Sequence, residues 1–147
     1  MPSPRHQARS SVMQSLFAYE FHGGDADEIL AYSLNEKEIP EKETQFAKIL
    51  LKGLLEKKED IITKIKEFAQ QWPIEKIARV DRAILILGVY EMLYSDIPPI
   101  VAINEAIEIA KHFGDTNSPK FVNAVLSAVL KKYCSHRDPK TGQILTS

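Results

Sequence analysis

The residue types that most often attack substrates or ligate metals are scattered in this chain. Its four histidines are His6, His22, His112 and His136, and its one cysteine is Cys134. No two histidines stand four apart, as a helix-borne metal pair requires, and Cys134 has no second thiol with which to share an ion. Cys134 and His136 are close enough in sequence to pair as thiol and imidazole, but they fall in a polar C-terminal segment with nothing to hold that geometry. Glu105 and Glu108 are three apart on one helix. A solvated face explains them better than a general acid–base dyad. The glycine-rich phosphate loops and the Gly-x-Ser-x-Gly elbow are absent. The expectation is a protein that is not an enzyme and uses no metal or cofactor.

Two stretches hold groups suited to binding instead. In the first, Arg5, His6, Gln7 and Arg9 open a helix that contains no acid before Glu20. Arg5 and Arg9, four apart, share a face, and guanidinium forks suit phosphate oxygens and base edges. Cations at a helix start oppose the helix dipole, a cost that points to use; the structural alternative is a solvated helix start. The second stretch is KHFGDTNSPKFVNAVL, Lys111 to Leu126. Phe113 and Phe121 flank a Gly-Asp-Thr-Asn-Ser turn, with Lys111 and Lys120 beside them. Rings of this kind stack on single-stranded bases, lysines meet phosphates, and Asn117 and Ser118 can bond base edges. A helix start at Ser118-Pro119 would also draw a phosphate. Phe17 falls off the apolar stripe of the first helix and could join this platform. The alternative is that the rings are core-edge residues, and if both are buried the platform disappears.

The elements that must carry these groups read as helices. Ser3-Pro4 has the form of an N-cap with proline at the first position, and Ala8, Val12, Leu16 and Tyr19 continue as a stripe to about Phe21. Asp25 and Glu28 have capping-box spacing before a short helix to about Asn35. From Pro40, one stripe holds Phe46, Ile49, Leu50, Gly53 and Leu54, and a second holds Ile61, Ile62, Ile65, Phe68 and Ala69. A break or bend is expected near Lys58–Asp60. Trp72-Pro73 should stop the second of these helices. Between Ala83 and Tyr90 no residue is charged, so this helix belongs at the centre of the core. Pro98-Pro99 precede a helix whose inner face carries Ile103, Ala106, Ile107 and Ala110, with Gly114 as its C-terminal glycine. Val122, Val125, Leu126, Val129 and Tyr133 make the last stripe, and the tail beyond Cys134 is expected to be loose. The sum is an all-α protein of about seven helices in residues 1–147, forming one domain with its core over about 4–133.

Composition agrees with a soluble globular chain: 147 residues, 44% hydrophobic, 27% charged, net charge −1. No apolar run reaches the roughly 18 residues that span a bilayer, and the N-terminus lacks a signal-peptide core, so a cytoplasmic protein without membrane contact is expected. Charge is segregated. Residues 1–19 hold two basic groups and no acid, residues 20–110 hold 11 basic against 18 acidic, and residues 111–147 hold six against two. Basic ends suit a polyanion and an acidic middle suits a different, basic partner.

Three segments carry a family resemblance. VAINEAIEIAKHFGDTNSPKFVNAVLSAV, VDRAILILGVYEML and RHQARSSVMQSLFAYEF closely resemble the signature, central helix and first helix of the bacterial NusB family. The resemblance implies two packed helical bundles. It also implies a transcription antitermination factor that pairs with the ribosomal protein NusE, binds single-stranded boxA RNA of nascent transcripts, and acts in a complex with RNA polymerase and other Nus factors. Some relatives self-associate, which leaves a homodimer open. The family's RNA contacts would fall on Arg5, His6, Gln7 and Arg9, and on Phe113, Asp115, Asn117, Ser118, Lys120 and Phe121. The run has only two arginines, a departure that should weaken its electrostatic share, and Asn117 stands where relatives can carry an acid, which should offset it. The partner protein would be met around Asp81, Arg82, Pro98 and Pro99. The rival reading is a helical protein-interaction module that does not touch RNA.

Overall fold

The computed structural model describes residues 2–68 and 77–145, and the expected helix stop at Trp72-Pro73 lies outside them. Six α-helices occur among the described residues: α1 (Pro4–His22), α2 (Ala26–Glu36), α3 (Glu41–Phe68), α4 (Arg79–Tyr94), α5 (Pro99–Phe113) and α6 (Ser118–Tyr133). They group into two units, Met1–Glu56 and Lys57–Ser147, and α3 runs from the first into the second.

The first unit is set by its caps. Ser3 Oγ accepts from His6 N at 3.1 Å, and Pro4 opens α1. Gly23 and Gly24, at φ 75° and 97°, end it in backbone that a side chain resists. Asp25 Oδ1 then accepts from the amides of Asp27 and Glu28, starting α2. Ala8, Val12, Met13 and Leu16 are buried on α1, and Leu30 and Leu34 on α2, which packs against it.

The expected break near Lys58–Asp60 does not occur. Leu54 and Ile61 are seven residues apart, two helical turns, so Leu50, Leu51, Leu54, Ile61, Ile62 and Ile65 form one continuous buried face. The polar residues between them lie on the solvent side and include no glycine or proline. Ile49, expected in the stripe, is 70% exposed.

In the second unit α4 packs on α5 and α6, and those two on each other. Every residue from Ala83 to Val89 is buried, as a helix apolar all round requires. Each such leucine or isoleucine contributes about 1.5–3 kcal/mol. On α5 the inner face is Ala102, Ile103, Ala106, Ile109 and Ala110, with Ile107 only half-buried at its edge. The tail after α6, expected to be loose, is folded. Arg137 bridges to Ile144, Asp138 Oδ1 accepts from the amides of Lys140 and Thr141, and Ile100 N donates to Pro139 O at 2.8 Å. Polarity misled here because the carbonyls at the end of α4 and in the loop beyond need donors. Arg137 supplies them, to Met92 O at 2.8 Å and Ile97 O at 3.2 Å.

Candidate nucleic-acid interface

In the first unit the N-terminal cations gather on one ring. Phe46 of α3 lies under Arg5, whose guanidinium carbon is 4.0 Å from the ring centroid, and under Arg9 at 5.1 Å. Arg5 also reaches Glu43 Oε2 at 3.5 Å and keeps its side chain 40% exposed. Arg9 is 4% exposed. The i,i+4 pair therefore shares a face, as expected, but that face turns toward α3, and only Arg5 presents its charge to solvent. His6 and Gln7 are half-buried beside them. Further along α1, Phe17 is 36% exposed and stacks on Phe21, with centroids 6.2 Å apart and planes 11° from parallel. Phe21 was not singled out from the sequence, although its i,i+4 spacing from Phe17 is the signal that would have found it.

In the second unit the α5–α6 loop is held by Asp115. Its Oδ1 accepts from Asn117 N at 2.8 Å and Ser118 N at 3.1 Å, and its amide donates to Ser118 Oγ at 2.9 Å. The expected phosphate seat at the start of α6 is thus already occupied by the chain's own carboxylate. Gly114 is needed for space. It is extended at φ −93°, and a Cβ there would stand 2.4 Å from Ser118 Cβ. Gly114 is the C-cap of α5, as expected, and serves there by permitting this close crossing.

The loop carries both rings outside the core. Phe113 is 39% exposed against His112, and Phe121 is half-buried. Lys111 pairs with Glu108 at 3.1 Å, with both side chains more than half exposed, and Lys120 is exposed. Phe121 forms one side of a groove of about 570 Å³. Asn117 and Lys120 stand on its exposed rim, and Ile77, Asp81 and Ser118 are its buried residues. Asp81 comes from the first turn of α4 and is 7% exposed, and its Oδ1 has no hydrogen-bond partner among the described residues. Burial pushes the Asp81 carboxyl upward in pKa, a hydrogen bond from Ser118 offsets part of this, and the nearby Asp115 charge adds to it.

Other candidates do not converge. Cys134 is buried, with Sγ 3.8 Å from Met92 O, and His136 is exposed, so they form no pair. No group of three or more potential metal-ligating side chains occurs among the described residues. No described helix is long and apolar enough to cross a membrane.

The family model for the NusB family matches residues 6–131. The chain belongs to the NusB family. The transcription antitermination protein NusB of a Nitratiruptor species is 42% identical over 128 residues, covering 87% of this chain and 92% of that one. The solved structure of T. maritima NusB superposes with a TM-score of 0.82 at 37% identity, covering 90% of this chain and 94% of that one. A chain in the crystal structure of antitermination factors NusB and NusE in complex with dsRNA matches with a TM-score of 0.80 at 28% identity, over 90% of this chain and 100% of that one.

For a NusB-family chain the expected partner residues were Asp81, Arg82, Pro98 and Pro99. The structure does not bring them together. Asp81 and Arg82 are in the first turn of α4, and the prolines lie past its last. A helix of 16 residues is about 24 Å long. Arg82 is half-buried and Pro99 is buried, while Pro98 O accepts from Val101 N at 2.9 Å. The folded tail fastens to the residues flanking the prolines through Ile97 O and Ile100 N.

Proposed function

We propose that this protein is a transcription antitermination factor that pairs with ribosomal protein NusE and binds boxA-type RNA of nascent transcripts. It works without catalysis, in the cytoplasm, within a complex that includes RNA polymerase and other Nus factors. Family membership and the likeness to a NusB chain solved with NusE and dsRNA support the pairing and the RNA. The observation that carries direct RNA contact is that neither Phe113 nor Phe121 is buried. Two solvent-reached rings in a loop that also carries Lys111, Asn117 and Lys120 combine stacking surface, cations and an amide, the set that single-stranded RNA engages. The α5–α6 loop stacks bases on these rings, and its lysines meet the backbone. Arg5 adds a phosphate contact from the first unit. The acidic middle of the chain suits a basic ribosomal protein.

The test is Phe121→Ala in fluorescence anisotropy with a boxA-like strand. Loss of one stacked base costs about 1–3 kcal/mol, roughly 5- to 150-fold in Kd, with the melting temperature within a few degrees of wild type. An unchanged Kd removes Phe121 from the RNA interface and favours the protein-only reading, while a protein that unfolds marks Phe121 as a packing residue.

A further inference from the structure

Arg5 has more partners than a residue awaiting a phosphate needs. Its guanidinium carbon stands 4.0 Å from the centroid of Phe46, so the ring by itself gives the group a resting place. Its Nη2 also reaches Glu43 Oε2 at 3.5 Å, from a residue one helical turn before Phe46 on α3. That contact is loose and the Arg5 side chain is 40% exposed, so the pair adds little to folding. Helix α3 does not depend on Glu43 for negative charge at its start either, because Glu41 lies in the same first turn. Glu43 is nevertheless held at 15% exposure against the one guanidinium of the arginine pair that reaches solvent. Helix α1 has no acid of its own before Glu20, so this neutralising charge is brought from another helix.

We infer that Glu43 is an internal competitor for the RNA phosphate at Arg5, and that it sets how much the first helix adds to RNA affinity. The inference rests on the RNA-binding reading above and concerns the regulation of that contact by a residue of α3. A phosphate that arrives at Arg5 has two routes. It can displace the carboxylate, which loses the ion pair and leaves a mostly enclosed carboxylate without its cation. Or it can share the guanidinium, whose five N–H donors allow two acceptors, and then two anions lie against one cation and repel each other. Both routes weaken binding. Orientation of Arg5 by Glu43 would act in the opposite direction, but Phe46 already supplies it, and a guanidinium resting on a ring keeps its N–H edge able to turn from one acceptor to another. Because Glu43 is 15% exposed, salt screens its charge less than that of an acid on the surface. The effect does not depend on base identity. Glu43 therefore restrains boxA-like and unrelated strands alike, and leaves discrimination to the contacts with base edges and rings.

The test is a double-mutant cycle on the full chain with NusE, read by fluorescence anisotropy with a boxA-like and a scrambled strand at low and high salt. Glu43→Gln keeps the shape and removes the charge. It should tighten both strands about two- to fivefold at low salt, with a smaller gain at high salt. In the Arg5→Ala background the same change should bring no gain, since nothing is left to compete for. Glu41→Gln, exposed in the same turn of α3, makes the same change in net charge and should leave both affinities as they were. Glu43→Asp keeps the charge but draws it back by one methylene, and should fall between wild type and Glu43→Gln. Thermal melts establish that each variant is folded, and if Glu43→Gln is not, Glu43→Asp takes its place in the cycle. Unchanged or weaker binding by Glu43→Gln overturns the inference while leaving RNA binding intact. So does a gain that survives Arg5→Ala or is matched by Glu41→Gln. A wild type that binds neither strand would remove the parent reading as well.

Discussion

Replacing Asp81 with asparagine should stabilise the fold at neutral pH and remove part of its pH dependence. A buried acceptor left without a partner costs about 1–3 kcal/mol, and more when charged. A hydrogen bond from Ser118 offsets part of that in the wild type. Asparagine keeps the shape and removes the charge, but its amide protons need acceptors of their own. The net gain expected is about 1 kcal/mol at pH 7, or about 2–4 °C in Tm for a chain of this size. The sign with pH follows from the direction of the shift. Burial raises the Asp81 pKa in the folded state above its unfolded value near 4, so the folded form holds its proton more tightly. The penalty is absent below about pH 4 and develops as pH rises through the folded pKa. Urea midpoints by far-UV circular dichroism should therefore be similar for both proteins near pH 4, and the variant should pull ahead toward pH 7. A gap that does not change with pH, or a variant less stable at pH 7, would mean that the Asp81 carboxylate is satisfied in the fold.

Arg5→Ala should lower the salt slope of RNA binding by about one phosphate contact, at a stability cost of only about 0.5–1 kcal/mol, because its contact with Phe46 and its ion pair with Glu43 are partly exposed. Salt-series titrations read this, and an unchanged slope would remove Arg5 from the interface. Arg9→Ala should instead lower stability by about 1–2 kcal/mol through lost packing on Phe46, seen as a lower urea midpoint. Gly114→Ala should cost about 1–3 kcal/mol, because its new carbon would meet Ser118 at 2.4 Å; thermal melts check this, and a neutral result would show that the loop can yield. Arg137→Ala should cost about 1.5–3 kcal/mol by stripping donors from Met92 O and Ile97 O, and should expose the tail to proteolysis.

Much of the fold was legible because local chemistry decided it. Ser3-Pro4 and Asp25 start α1 and α2 where their types predict, and the uncharged run from Ala83 became the buried centre of the second unit. Helix α3 was misread because a polar interval looks like a break when only its composition is weighed. The seven-residue step from Leu54 to Ile61 carries the face through it. The candidate site was legible as residue types but not as geometry. Phe46, 37 and 41 positions from its two arginines, left no local trace. Nor could the sequence say that Arg9 is buried while Arg5 is not, or that Asp81 faces the α5–α6 loop, far along α4 from Pro98-Pro99. Asp115 offered a partial signal, since an aspartate three before a helix serine is a turn former. That it would occupy the helix start itself depended on Gly114 letting the chain cross so closely.

That this protein reads RNA together with NusE is tested most directly by fluorescence anisotropy. A boxA-like single strand and a scrambled strand are each titrated with and without purified NusE, at two salt concentrations. The expected result is tighter binding of the boxA-like strand, a further gain when NusE is added, and weakening of both strands as salt rises. Equal binding of the two strands with NusE present would contradict it and leave a helical module that binds protein alone.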